Sequence, residues 1–188
     1  EPNYRKILRA GPTSQRTLNL LGLAGFQRGN VADSLRDLGR AASIAPKVAK
    51  YHYDLGVVTQ TRGQLAESIG HYQRALALDA SSAATWENLG VALFDLDQNR
   101  ESIIAFERAL TLNPASLLAR GNLATLRRWQ GDHAAALQLI ERGLALDPLN
   151  ADLRMKRAET LLATGKLAAG WEDYAWRFVH GVIWGAQP

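Results

Sequence analysis

Thr85-Trp86-Glu87-Asn88-Leu89-Gly90, followed downstream by Phe106, Ala109 and Pro114, sets the reading of the whole chain. Its pattern returns every 34 residues. Pro12, Pro46, Ala80, Pro114 and Pro148 form one evenly spaced comb, and Gly22, Gly56, Gly90, Ala124 and Ala158 a second. A third runs through Gly29, Gly63, Asp97, Gly131 and Gly165, where one helix is expected to turn into the next. Combs that stay in step over most of 188 residues mark a stacked array of one repeated unit.

Within a unit, apolar and small residues recur at helical spacing on two segments of about a dozen residues each. Counting Ala83 as position 1, Trp86 is position 4, Leu89 is 7, Gly90 is 8, Ser102 is 20, Phe106 is 24, Ala109 is 27 and Pro114 is 32. This succession resembles the tetratricopeptide repeat, with its W-x2-L-G-x2-Y, then A-x3-F, A and P. The likeness runs from about Gln15 to Phe178 without an insertion. It implies an all-α fold, a right-handed superhelical solenoid of antiparallel helix pairs.

The small positions have a steric reason. Gly or Ala at 8, small residues at 20 and Ala or Gly at 27 let the two helices of a pair approach closely. Large side chains at 24 (Leu38, Tyr72, Phe106, Ile140, Tyr174) then fill the space toward the next unit. Proline at 32 ends the second helix, because it lacks an amide donor and clashes with the preceding turn. One pair cannot bury its own apolar face, so stability comes from stacking on neighbours.

The register predicts five units, 15–48, 49–82, 83–116, 117–150 and 151–184, the last degenerate, with a tail at 185–188. Residues 1–14 read as the second helix of a truncated preceding repeat, since Tyr4 falls at position 24, Leu8 at 28 and Pro12 at 32. No apolar run approaches the roughly 20 residues that span a bilayer, and Glu1-Pro2-Asn3-Tyr4 does not resemble a signal peptide. A cytoplasmic location is the expectation. Cysteine is absent, which excludes disulfides and thiolate sites. The net charge of +4 is uneven: residues 1–50 hold nine Lys and Arg against three acids. No aromatic residues interleave with those cations at stacking spacing, so nucleic acid is not an expected partner.

The fifth unit departs from the pattern. Arg154, Arg157 and Arg177 stand at positions 4, 7 and 27, and its second helix carries Trp171, Tyr174, Trp176 and Phe178. The run Gly170-Trp171-x-x-Tyr174-x-x-Arg177 resembles one found where bacterial tetratricopeptide arrays join O-GlcNAc-transferase-like glycosyltransferase domains. That likeness implies a substrate-recruiting arm whose catalytic domain is absent from this chain. The alternatives are that these aromatics close the array, or that the chain self-associates through them as an assembly scaffold.

Catalytic patterns are lacking. His52, His71, His133 and His180 stand on different units with no i, i+4 pair, and a phosphate loop needs a strand that the periodicity does not provide. His52 fills the aromatic slot at position 4 and reads as a packing residue. Neither a cofactor, a metal nor an enzymatic activity is expected. The resemblance instead implies a concave groove lined by the first helix of each pair and binding a peptide or helix of a protein partner. Carried over position by position, its lining is Tyr53, Asp54, Val57, Asn88, Val91, Phe94, Asn122, Thr125, Arg128, Trp129 and Lys156. Asn88 and Asn122 share position 6, one repeat apart, resembling part of an asparagine ladder; each carries a donor and an acceptor for a bound backbone. The carboxylate clamp of chaperone-binding relatives, Lys at 5 with Asn at 9, is missing from every unit.

Overall fold

The 34-residue interval becomes helices. A computed structural model describes residues 14–179, and among these there are ten helices and no strand. They are α1 (Gln15–Gln27), α2 (Val31–Ile44), α3 (Ala49–Thr61), α4 (Leu65–Leu78), α5 (Ala83–Asp95), α6 (Asn99–Leu112), α7 (Leu117–Trp129), α8 (His133–Leu146), α9 (Ala151–Ala163) and α10 (Leu167–Val179). The expected helix of residues 1–14 and the tail 185–188 lie outside the described span, Ser14 excepted. The chain divides into two units, 1–102 and 103–188, with the division inside α6. In unit 1, α1 packs antiparallel on α2 and α3 on α4; in unit 2, α7 packs on α8 and α9 on α10.

Helix ends are written in the sequence. Ser14, Ser82, Ser116 and Asn150, spaced by the repeat, cap α1, α5, α7 and α9 by accepting an amide N–H from three residues on. Such caps contribute about 1 kcal/mol each. Val48 holds the same place before α3 and offers no side-chain cap. The turns within pairs pass through Gly29, Gly63, Gly131 and Gly165 at φ of 75° to 81°, and through Asp97 at 57°. At each, the turn residue's amide reaches back three residues and the next amide five, as in Gly131 N to Arg128 O and Asp132 N to Arg127 O, both 2.9 Å. That double bond closes a helix end in the Schellman manner and needs a left-handed residue. Asp97 is an L residue that tolerates the conformation better than most.

The turns between pairs share a bond that sequence reading does not anticipate. Trp86 Nε1 donates to the Ala80 carbonyl at 3.0 Å, and His52 Nε2 contacts the Pro46 carbonyl at 2.9 Å. Arg120 Nη2 donates to Pro114, and Arg154 Nε to Pro148 at 2.9 Å. All four residues occupy position 4, and all four carbonyls belong to position 32 of the preceding repeat. In these four repeats the slot holds an N–H donor that reaches six residues back, which is why His and Arg can replace Trp there; in the first repeat it holds the core residue Leu18.

Helix pairs close where a missing side chain meets a large one. A Cβ on Gly56 would stand 2.5 Å from Tyr72 Cε1, and one on Gly22 2.6 Å from Leu38 Cγ. Tyr72 and Leu38 are fully buried. The Tyr72 hydroxyl donates to Gln60 Oε1 at 2.7 Å, so the ring is held from two sides. The small position 20 behaves similarly: Ser34, Ser68 and Ser102 are wholly buried, and Ser102 Oγ donates to the Gly90 carbonyl at 2.8 Å.

Two substitutions test this account. Gly56→Ala forces the trapped Tyr72 ring to move and is expected to cost about 2 kcal/mol of unfolding free energy, as overpacking commonly does. Trp86→Phe keeps the ring but removes the N–H to Ala80, and about 1 kcal/mol should be lost. Urea unfolding of both variants measures each value.

Candidate functional site

The first helices of the pairs lie side by side within each unit, α1 on α3 on α5 and α7 on α9. Their facing side chains meet in rungs joining position 5 of one repeat to position 6 of the next. Asn19 Nδ2 donates to Asp54 Oδ2 at 2.6 Å, and Asn88 Nδ2 donates to Tyr53 Oη at 3.2 Å. In unit 2 the corresponding pair is Gly121 and Lys156, whose Cε lies 3.4 Å from the point a Gly121 Cβ would occupy.

In unit 1 the rungs differ in burial. Asn19 and Asp54 are 4% and 3% exposed, and the Asp54 carboxylate also accepts Lys50 Nζ at 2.9 and 3.0 Å. Expected as a groove residue, Asp54 has its oxygens committed inside the protein; it fixes α1 against α3. Tyr53, Val57, Asn88, Val91 and Phe94 are half-buried on the same helices. The Tyr53 ring stands 6.2 Å from Tyr72, tilted by 49°. Burial raises the Tyr72 hydroxyl pKa, Tyr53 adds to the rise and Asn88 opposes it, which ties the three side chains into one cluster. One of the two Asn88 amide N–H groups is thus given to Tyr53. A recess of about 280 Å3 beside this cluster is lined by Ala49, Lys50, Tyr53, Ala75, Ala84 and Thr85, among others.

In unit 2 a larger opening, about 400 Å3, is lined by Thr125, Arg128, Asp152, Met155, Lys156, Glu159 and Tyr174. Three expected lining residues, Thr125, Arg128 and Lys156, thus share one cavity. Arg128 Nη2 bonds Glu159 Oε2 at 2.8 Å and Lys156 Nζ bonds Asp152 Oδ1 at 2.6 Å. The cations are the more buried partners, with side chains 24% and 20% exposed against 46% and 50% for the acids. Asn122 is half-buried on α7, and Trp129 is 56% exposed at its end. Sequence reading did not place Met155 or Tyr174 in the lining: Met155 adjoins Lys156 in the chain, and Tyr174 comes from a second helix, at the position read as filling the space toward the next unit. No three His, Cys, Asp or Glu that would hold a metal stand together among the described residues.

Comparison with known proteins agrees with this architecture. A sequence profile described as a tetratricopeptide repeat matches residues 1–49 and 118–175, more than half the chain. A second matches 83–116, and a TPR repeat profile 61–97. The chain belongs to the tetratricopeptide repeat family. No curated protein matches it. Among solved structures, the crystal structure of MamA protein is 18% identical with a TM-score of 0.82, covering 93% of this chain and 97% of that one. A structure from the functional characterization of Pseudomonas aeruginosa PilF is 26% identical with a TM-score of 0.77, covering 93% and 78%. YrrB, described as a TPR protein with an unusual peptide-binding site, is 18% identical with a TM-score of 0.78, covering 90% and 88%. These likenesses show the fold. Tetratricopeptide proteins are typically non-catalytic scaffolds, and the fold is consistent with protein–protein interaction. No helix among the described residues is long and apolar enough to cross a membrane.

The last tetratricopeptide pair explains its own departures. Arg154 and Arg157 on α9 converge on Asp173 of α10, a carboxylate only 4% exposed. Arg157 binds it through Nε and Nη2, the latter at 2.6 Å, and this partnership raises the Arg157 pKa. The Arg154 guanidinium also lies 4.7 Å from the centroid of the Trp176 ring, a cation–π arrangement. Trp171 and Tyr174 meet edge-on at 5.4 Å, and Gly170 packs under Leu162. Arg177 and Phe178 have side chains outside the described set.

Asp173→Ala leaves two guanidinium groups facing each other without their carboxylate. Unpairing a buried charge of this kind costs about 3 kcal/mol. Hydrogen exchange should show α9 and α10 opening more readily, with amides of α3 and α4 unaffected.

Proposed function

We propose that the chain is a protein-interaction scaffold, and that the face built by its first helices holds an extended segment or helix of a partner. The observation that carries this reading is the cavity of about 400 Å3 on that face in unit 2, where Thr125, Arg128 and Lys156 meet Met155 and Tyr174. Met155 and Tyr174 stand there among two ion pairs, Arg128 with Glu159 and Lys156 with Asp152, an arrangement that suits an apolar peptide side chain flanked by polar groups. In unit 1, by itself, the first helices offer Tyr53, Val57, Val91 and Phe94 with the Asn88 amide, all half-buried. Asp54 acts from beneath, by holding α1 and α3 in place. Asn122 and Trp129 extend the surface in unit 2. Preformed rungs keep the protein's share of the ordering cost low, so that most of the cost falls on the ligand. The glycosyltransferase-linked reading rests on the Gly170-Trp171-x-x-Tyr174-x-x-Arg177 run and the Asn88 and Asn122 pair, and self-association on the aromatic residues of the last unit.

The test is selection from a phage-displayed library of random dodecapeptides, followed by titration of the enriched peptides. Replacing Tyr53 and Asn88, or Arg128 and Trp129, by Ala should weaken binding about tenfold or more in at least one pair, the scale of interface anchors. Unchanged affinity in both pairs overturns the assignment of the face.

A further inference from the structure

We propose that the opening of about 400 Å3 in unit 2 takes an apolar side chain flanked by cationic residues, so that the partner is a basic peptide; this rests on the assignment of the first-helix face as an interaction surface. Four of the lining residues, Asp152, Met155, Lys156 and Glu159, follow one another on α9 at i, i+3, i+4 and i+7, the spacing that puts them on one stripe of a helix. Asp152 and Glu159 are exposed and Met155 between them is half-buried. Met155 is therefore bracketed by two carboxylates, one a turn before it and one a turn after. Seven residues of helix set those carboxylates roughly 10 Å apart along the axis. About three residues of extended chain cover the same length.

The sign of the partner follows from which end of each ion pair faces water. In both pairs the cation is the sheltered member and the acid the accessible one. Gly121 of α7 shows the sheltering: the place of its missing Cβ is 3.4 Å from Lys156 Cε, so the lysine stem lies against the α7 backbone. Each pair engages one carboxylate oxygen, Asp152 Oδ1 and Glu159 Oε2, while Asp152 Oδ2 and Glu159 Oε1 receive no bond among the described residues. Thr125 Oγ1 donates its hydrogen to the Gly121 carbonyl at 3.1 Å and keeps acceptor capacity alone. A Lys or Arg head group finds charge-assisted acceptors there, and its aliphatic stem can lie along the apolar floor. An acidic side chain would be drawn to Arg128 and Lys156, which are less accessible and already neutralised, and repelled by the carboxylates in front. Exposed ion pairs contribute little each, so the carboxylates select the partner while Met155, which adapts to apolar groups of differing shape, and Tyr174 hold it.

The experiment titrates the full chain against three fluorescein-labelled dodecapeptides that carry Lys-Leu-Ser-Lys, Gln-Leu-Ser-Gln or Glu-Leu-Ser-Glu in one Gly-Ser background, and reads anisotropy at low salt. The Lys peptide should bind about tenfold tighter than the Gln peptide, and the Glu peptide more weakly than either. About 0.5 M NaCl should shrink the difference, because exposed charges are screened. Asp152→Asn and Glu159→Gln, which keep the shape and an acceptor oxygen, should each lower the preference for Lys about threefold. Met155→Ala should weaken all three peptides alike. Equal affinity of the three peptides, all weakened by Met155→Ala, overturns the cationic preference and leaves the face assigned. Tighter binding of the Glu peptide overturns it in favour of an acidic partner. Absence of binding by all three, while peptides from the random library still bind, overturns the assignment of this cavity; absence in both experiments overturns the face itself.

Discussion

One hydrogen bond recurs at the corners of this structure, and much of the rest follows from it. A side-chain N–H at the first turn of one helix pair reaches back to the carbonyl ahead of it, as Trp86 does to Ala80 at 3.0 Å. At three of these four corners, those of Pro46, Pro114 and Pro148, a proline stops the earlier helix, and at all four the carbonyl is left with no helical partner. The bond satisfies that carbonyl and sets the entry of the next helix. With the corner held, the first helices come close enough for the Asn19–Asp54 and Asn88–Tyr53 contacts. The second helices then close on the glycines, as Tyr72 does over Gly56.

Much of the fold was legible because these demands leave steric signatures. Glycine at the left-handed turns, small residues at close approaches and proline at the corners are each chosen by excluded volume, and excluded volume is visible in single letters. What stayed hidden was chemistry shared between distant letters. Position 4 looked like an aromatic slot that His52 fills and Arg154 breaks; the structure shows one donor function carried by Trp, His and Arg. Arg154 and Arg157 looked like breaks in a pattern until Asp173 supplied their counter-charge.

The candidate face was legible in outline and not in detail. A register locates helices and faces, and Thr125, Arg128 and Lys156 do line one cavity. It does not say whether a polar side chain on that face is satisfied from within. Asp54 and Asn88 occupy the same position in consecutive repeats, yet one is 3% exposed and spent on Asn19 and Lys50, while the other is half-buried. The difference comes from the residue one position earlier in the previous repeat, a dependence that a pattern written for one repeat cannot contain.

The rungs tie letters 35 residues apart, whereas the repeat is 34 residues long. Each contact is therefore owned jointly by two modules, its halves inherited separately when a segment is copied, lost or exchanged. Grafting the α3–α4 module alone onto another array would carry Asp54 and its Lys50 partner away from Asn19 and leave the carboxylate without its donor across the new junction. Evolution of such a chain by recombination is constrained at the seams between its modules more than within them, and the natural unit of transfer is a module together with the first helix of its predecessor.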